Sequence, residues 1–313
     1  MPRRDYAGIY FIPSPARTLE ESTKTSKAID NSIKTIFTRK DYDWVDYKTW
    51  FMRNRVLQTT TLHPSQSEGQ PGQPAQPPSY QHIFQLRYSD QDDQEIEENQ
   101  VNPERAYCCI QKPSSQKDPT HKASVSQGTD APYTPGAIVE VPADSAENHI
   151  NFLELTGLWS FRRAFEVQDG QLCSLIRMYD PDKGCDTGTF HMRVGIVTAS
   201  RERRFGGELR WDTRSPGVIL EITYKNVNAD SETHNNVVDD EEYTQALVAD
   251  AQEHIRGLWQ RLQSGLDLPQ SSNLDIKEVM MGPEPLRHSS VGGGEAQSPA
   301  AIVRMWCELL RRL

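Results

Sequence analysis

The residues best suited to chemistry lie singly on predicted strands. In "TFHMRVGIVTA", residues 189–199, apolar and polar residues alternate, so His191 and Arg193 share the face opposite Phe190 and Met192. If that face lines a tunnel, the arginine could contact a bound phosphate there. On the solvent-exposed face of a sheet, the same two residues would contact only water. The pattern leaves both alternatives open, a working site or a structural strand.

The enzymatic alternative is an antiparallel barrel that holds a triphosphate and divalent metals in its interior. Such a site uses glutamates two positions apart on one strand, because both carboxylates then point into the tunnel. The chain has "EIE" at 95–97, but in an acidic, glutamine-rich turn, and Glu140 and Glu221 each stand alone on their strands. No phosphate-binding loop, nucleophile elbow or zinc-protease motif occurs. We therefore predict no catalytic, metal-binding or cofactor-binding residue.

Charge and cysteine content narrow the class of protein further. A net charge of −10 disfavours a nucleic acid or an anionic membrane as partner. The arginines of "SRERRF", residues 200–205, are expected in a solvated turn. The five cysteines have neither zinc-site spacing nor a disulfide pattern, which indicates a reducing compartment. No apolar run matches a signal peptide or membrane span, so we expect a soluble, intracellular protein.

The first half of the chain predicts strands around one helix. The apolar run at 6–13 ends at a proline and predicts a buried strand. A helix is predicted over 18–38, because Thr18 and Glu21 have the spacing of a capping box and apolar residues follow at helical intervals. Further strands are predicted at 44–56, 80–89, 105–111 and 136–142, the second and third pairing as a hairpin.

The second half predicts several more strands between amphipathic helices. Helices are expected at 144–159, 239–265 and 298–313, each with a stripe of apolar residues. The strands are predicted at 161–167, 171–178, 189–199, 205–211 and 216–224, with turn signals at Asp169-Gly170, Gly184, Gly206-Gly207 and Pro216-Gly217. This spacing is typical of a β-sandwich or a β-barrel.

Three polar stretches interrupt these elements. Residues 63–79 and 112–135 are rich in Pro, Gln, Ser, Gly and Thr, and are expected to be disordered insertions, because they have little apolar surface to bury. A poorly patterned segment at 266–297 precedes the last helix. We predict a single domain over 1–313 that carries these stretches.

The ordered motifs of this chain resemble the fungal forms of Mediator complex subunit 20. The resemblance covers "GIYFIPSP" at the N-terminus, "LWSFRRAFEVQDG", "GTFHMRVGIVTAS" and "GVILEITY", followed by a long helix and a short C-terminal helix. Phe190, Arg193, Val194 and Gly195 match the first of two family strands, and Gly217, Val218, Glu221 and Tyr224 match the second. It covers most of 136–313, and the first half only through its opening strand and the coarse order of elements.

The resemblance implies an α+β fold, a single many-stranded antiparallel β-barrel flanked by helices and similar to the triphosphate-tunnel barrels. It implies a non-enzymatic, nuclear subunit of the RNA polymerase II coactivator. That subunit would pair directly with Mediator subunit 18 and join the head module through subunit 8. The alternatives are a tunnel-type, metal-dependent triphosphate phosphohydrolase, or a barrel adaptor in another complex.

The last predicted helix carries more apolar residues than one buried stripe requires. Beyond its main stripe it has Val303 and Leu310, and Trp306 belongs to a residue type enriched at interface anchors. A helix that is apolar over a wide arc is usually contacted on two sides. We predict Val303, Trp306 and Leu310 as the partner interface, with a helix sunk deeper into its own fold as the equal alternative.

Overall fold

The computed structural model describes residues 5–37, 42–60, 78–88, 105–113, 133–134, 137–180, 185–205, 208–225, 241–266, 274–281 and 299–313. These residues form an α+β fold, which confirms the predicted class. The strands are β1 (Asp5–Pro13), β2 (Tyr42–Thr59), β3 (Tyr80–Tyr88), β4 (Arg105–Pro113), β5 (Tyr133–Thr134), β6 (Ile138–Pro142), β7 (Trp159–Asp180), β8 (Cys185–Phe205), β9 (Glu208–Lys225) and β10 (Lys277–Met280). The helices are α1 (Leu19–Ile36), α2 (Ala146–Leu155), α3 (Glu241–Ser264) and α4 (Pro299–Arg312).

One antiparallel sheet of ten strands organises the described part of the chain. Its order is β10-β1-β9-β8-β7-β2-β3-β4-β5, and β6 also pairs with β4. Within the ranges given above, no hydrogen-bonded ladder joins β10 to β5 or β6. The sheet is therefore large and antiparallel as predicted, but its ladder order is open, and this departs from a closed barrel.

Helix α4 packs against one face of the sheet, which we call the concave face. It contacts β1 and β10 near one edge of the sheet and β3 and β4 near the other. A helix can touch strands so far apart in the order only if the sheet curves around it. The side chains that enclose α4 are mainly apolar, and include Ile9, Phe11, Trp50, Met52, Phe84, Leu86, Phe165, Val197 and Ile219.

The other three helices cover the opposite, outer face. Helices α1 and α3 bury their apolar stripes on β1, β8 and β9, where Tyr10 stacks on Trp259 with ring centroids 4.5 Å apart. Helix α2 packs Ala146 and Ile150 on the part of the sheet formed by β2, β3 and β4. Because apolar residues occupy both faces of the central strands, this sheet is buried on two sides rather than one.

Local signals account for the start of α1. Thr18 precedes the helix in an extended conformation, and its hydroxyl accepts a hydrogen bond from the Glu21 amide at 3.3 Å. The Glu21 carboxylate accepts from the Ala16 amide at 2.7 Å and from the Ser14 hydroxyl. The predicted capping residue is confirmed, and the glutamate also ties the preceding turn to the helix.

Two pairs of predicted short strands are each one long strand. Segments 161–167 and 171–178 belong to the continuous β7, and residues 208–211 and 216–224 of the other two segments belong to β9. Asp169-Gly170 and Pro216-Gly217 lie at shifts in strand register rather than at turns. Such irregularities bend a strand without ending it. The two dipeptides therefore mark irregular backbone, as their residue types indicate, but the chain does not reverse direction at either of them.

The predicted insertions fall mostly outside the described residues. Strand β5 lies within 112–135, and the short strand β10 lies within 266–297, where no element was predicted. Four residues are too few for an alternating pattern to stand out, which explains why β10 was missed. Gly184, Gly206-Gly207 and Ser298, the first residue of the last predicted helix, lie outside the described ranges. Among the helices that are described, none is long and apolar enough to cross a bilayer.

Candidate functional site

The centre of the concave face is filled by aromatic side chains. Trp306 of α4 lies between Trp50 of β2 and Phe84 of β3, with ring centroids 5.9 Å and 5.8 Å apart. All three side chains are buried. The centre of the concave face is therefore occupied by a packed helix.

Two glycines allow Trp50 to lie flat against the neighbouring strands. A Cβ atom on Gly170 would come within 2.2 Å of the indole nitrogen of Trp50, and one on Gly195 within 2.4 Å of a Val167 methyl group. The indole N–H donates a hydrogen bond to the Val194 carbonyl at 3.2 Å. The position of Trp50, and through it that of α4, therefore depends on glycine at both places.

Arg193 and Glu221 form a buried ion pair on the concave face. They are register partners on β8 and β9, and the guanidinium lies 3.1 Å from the carboxylate and 3.3 Å from the Thr223 hydroxyl. Glu221 is buried and Arg193 largely so. Burial raises the pKa of Glu221, and the charge of Arg193 opposes that rise. His191 is half-buried on the same strand face, so of the two alternatives for His191 and Arg193, simple solvation does not describe either residue.

The other carboxylates considered for metal binding do not converge on this pair. Glu140 is exposed on β6, and five strands separate β6 from β9 in the order of the sheet. Glu95 and Glu97 lie outside the described residues. In the described part of the chain, no group of three or more His, Cys, Asp or Glu side chains could hold a metal ion.

Sequence reasoning missed a polar cluster beside α4. The Asn54 amide nitrogen lies 3.1 Å from Nδ1 of His82, and both side chains are fully buried. Burial lowers the pKa of His82 to about 4, and the side chain of Gln111 opposes this shift. A signal was present, because Asn54 falls in phase with the core residues Met52 and Val56 on an alternating strand.

Arg163 connects the C-terminal end of α4 to the sheet. Its guanidinium donates to the carbonyls of Leu310 and Arg311 at 3.4 Å and 3.3 Å. These carbonyls have no partner within the helix, and a cation is favourable at the negative end of the helix dipole. Burial lowers the pKa of Arg163 to about 10, so the side chain remains charged at neutral pH.

Two buried thiols also join α4 to the sheet. Cys307 of α4 forms a side-chain hydrogen bond with Cys109 of β4. Burial raises the pKa of Cys307, while the hydrogen bond from Cys307 lowers that of Cys109. Cys108, Cys109, Cys173 and Cys307 are all free thiols.

The side chains predicted as the partner interface are buried within the chain itself. Val303, Trp306 and Leu310 each have 0% of their surface exposed. Their burial corresponds to the alternative in which the helix is sunk into its own fold. Because none of the three is exposed, a surface for a partner has to be sought elsewhere.

The arginine-rich segment 200–205 is part of a strand and not a turn. Strand β8 continues to Phe205, and Arg201 is the register partner of Asp212 on β9. Arg201 itself is exposed. The prediction of a turn was wrong because the β8–β9 pair is longer than the apolar pattern, and polar residues continue its ladder beyond the core.

Comparison with known proteins adds no family assignment. No family model matches this chain, and no curated protein sequence matches it. Among solved structures, the chain is similar to the PH1819 protein from Pyrococcus horikoshii OT3, with 8% identity and a TM-score of 0.31. The match covers 83% of this chain and 90% of that protein. A similarity at this level is too low to identify a shared fold or a shared function.

Proposed function

We propose that this protein is a non-enzymatic subunit of the Mediator head module, the fungal form of subunit 20. It pairs with subunit 18, joins the rest of the head module through subunit 8, and helps to relay regulatory signals to RNA polymerase II in the nucleus. One observation carries the proposal. The two strands whose motifs resemble the family, β8 and β9, are neighbours, and their motif residues Arg193 and Glu221 form one ion pair.

The packing of α4 supports a scaffold over a tunnel enzyme. Trp306 and its neighbours occupy the concave face, where a triphosphate and its metals would have to bind. The buried Glu221 is already paired with Arg193, and a metal-binding role would require breaking that pair. The curved sheet corresponds, in this proposal, to the many-stranded barrel of the family, opened at one edge and filled by a helix.

Reconstitution tests the proposal directly. The full-length protein should co-elute with recombinant subunits 18 and 8 of the same fungus in size-exclusion chromatography, as a complex of equal stoichiometry. If the protein binds neither subunit, the proposed function is contradicted.

A phosphate-release assay separates the scaffold from the enzyme. With manganese or magnesium, the protein should release no phosphate from nucleoside triphosphates or triphosphate-ended RNA above a control. Release that is lost in Glu221→Gln or Glu140→Gln would replace the scaffold proposal with the phosphohydrolase alternative.

A further inference from the structure

Helix α2 presents a large apolar surface that the described part of the chain leaves exposed. One side of the helix packs Ala146 and Ile150 on the sheet. On the other side, Phe152 is 64% exposed and Leu155 is 87% exposed, and Leu158 in the following turn is 57% exposed. Single exposed apolar residues are ordinary, but three large ones within seven positions form a patch.

The spacing places these side chains together at one end of the helix. Phe152 and Leu155 are three residues apart and therefore neighbours on the helix surface. Leu158 lies just past the helix end, where its carbonyl accepts a hydrogen bond from the Thr60 amide at 3.0 Å. A hydrogen bond between the Thr60 hydroxyl and the Gly157 carbonyl fixes the same turn to the end of β2. The patch is thus held by the sheet rather than by a free loop.

The surroundings of the patch are acidic. Between residues 137 and 161 the chain has four acidic residues, Glu140, Asp144, Glu147 and Glu154, and no lysine or arginine. All four are exposed. Arg55 lies 3.3 Å from Glu147 and offsets that carboxylate, and Arg162, one residue beyond this segment, donates to Gln58 and Tyr80. An apolar patch beside excess negative charge complements a surface with apolar anchors and positive flanks.

We infer that Phe152, Leu155 and Leu158 are the docking face for an amphipathic helix of a partner protein, with Lys or Arg beside its apolar residues. A second copy of this chain would bring the same carboxylates and a net charge of −10 to the contact. An anionic lipid surface would be repelled by the same carboxylates. A helix that is apolar on two sides is usually contacted on both. Among the residues that the structure describes, contacts cover the side of α2 toward the sheet and leave Phe152 and Leu155 exposed.

The identity of the partner rests on the proposed function, so the test uses the Mediator subunits. Leu155→Glu is measured against Leu19→Glu, an equivalent change at a side chain that is 60% exposed on α1. Binding to recombinant subunit 18 and subunit 8 should weaken about tenfold or more for Leu155→Glu, and remain at the wild-type value for Leu19→Glu. Both variants should keep the melting temperature of the wild type.

A second pair of variants tests the charge of the partner. Asn151 is exposed on α2 between the acidic residues. Asn151→Lys should weaken binding and Asn151→Glu should preserve or strengthen it, and the difference should shrink at high salt because exposed charges are screened. Equal binding by the two variants contradicts the basic flank of the partner helix.

Each remaining outcome decides between the two proposals. If the wild type binds neither subunit, the proposed function fails, and the docking face fails with it. If the wild type binds and Leu155→Glu binds equally well, the docking face alone is wrong. A lower melting temperature for Leu155→Glu means that the patch packs on its own chain. A wild-type dimer that Leu155→Glu dissociates would make a second copy the occupant. Either result overturns the inference.

Discussion

Buried polar side chains around α4 make the stability of this protein depend on pH. His82 and Glu221 are both fully buried, and burial disfavours the charged form of each. The dependence of stability on pH therefore has opposite signs for the two residues. A histidine with a lowered pKa resists gaining a proton, whereas a carboxyl group with a raised pKa resists losing one. Individual variants can therefore separate the two contributions.

For His82, we expect stability to be lost as the pH falls from 6.5 to 4. Its pKa falls from 6.5 in the unfolded chain to about 4 in the folded state, so the unfolded chain binds more protons in that range. The linked loss is about 3 kcal/mol at most. In urea unfolding at pH 8 and pH 4.5, His82→Gln should lose about 2 to 3 kcal/mol less than the wild type between the two pH values. An equal loss in both proteins contradicts this assignment.

For Arg193, removal of the guanidinium should destabilise the fold at neutral pH. Arg193→Met leaves Glu221 buried beside no matched cation, and breaking a buried pair costs about 3 kcal/mol or more. The loss should shrink as the pH falls toward 4.5, because Glu221 then takes up a proton more readily in the folded state than in the unfolded chain. The double variant Arg193→Met/Glu221→Leu should recover most of the stability, measured by urea unfolding at pH 7.5. A double variant as unstable as Arg193→Met would contradict the pairing.

At the scale of elements, α4 and α2 show what hydrophobic periodicity can and cannot predict. Both helices carry apolar residues on more than one side, but the sequence analysis predicts a second contact surface for α4 alone. For α4, the curved sheet supplies contacts all around Trp306. For α2, the flat packing on β2, β3 and β4 reaches one side only, and Leu155 remains exposed. The pattern is similar in both helices, and the difference lies in tertiary structure that no local window contains.

The burial of α4 predicts a large effect of Trp306 on stability. Trp306→Ala removes a side chain with no exposed surface and leaves a cavity between Trp50 and Phe84, which should cost about 3 to 5 kcal/mol. Thermal unfolding of the isolated protein measures the loss. Leu155→Ala serves as the control, since truncation of a large apolar side chain to alanine at an exposed position should change stability by less than about 0.5 kcal/mol. A melting temperature unchanged by Trp306→Ala would mean that α4 is not part of the core.

The strands likewise have some features that a local sequence pattern predicts and others that depend on tertiary contacts. Alternation predicted the two faces of β8, because the two-residue periodicity of side chains is a property of the strand itself. It did not predict that β7 and β9 continue past Asp169-Gly170 and Pro216-Gly217. Gly170 is present because Trp50 crosses it, and that contact joins residues 120 positions apart. The polar cluster of Asn54 and His82 has the same origin, since its partners come from different strands.

At the scale of the whole molecule, the pairing of β2 with β3 extends into the first predicted insertion. The Thr59 amide donates to the Ser79 carbonyl at 3.0 Å, and the Ser79 amide donates to the Thr59 hydroxyl at 3.0 Å. The β2–β3 ladder thus includes Ser79, which the sequence placed within the insertion at 63–79. Backbone pairing determines where β3 begins in the structure, whereas amino-acid composition shows only where the apolar residues stop.

Replacement of the first insertion should therefore depend sharply on where it ends. A Gly-Ser linker of about five residues in place of 61–77 can join adjacent antiparallel strands, and should change the melting temperature by no more than about 2 °C. Those residues have little apolar surface with which to offset the entropy of ordering. Extending the replacement through Ser79 and ending the linker in proline removes the amide that donates to the Thr59 hydroxyl, and should destabilise the protein by about 1 kcal/mol. Differential scanning calorimetry of the two variants measures both effects. A drop of many degrees for the shorter replacement would show that 61–77 packs on the fold, and would overturn the assignment of this segment as an insertion.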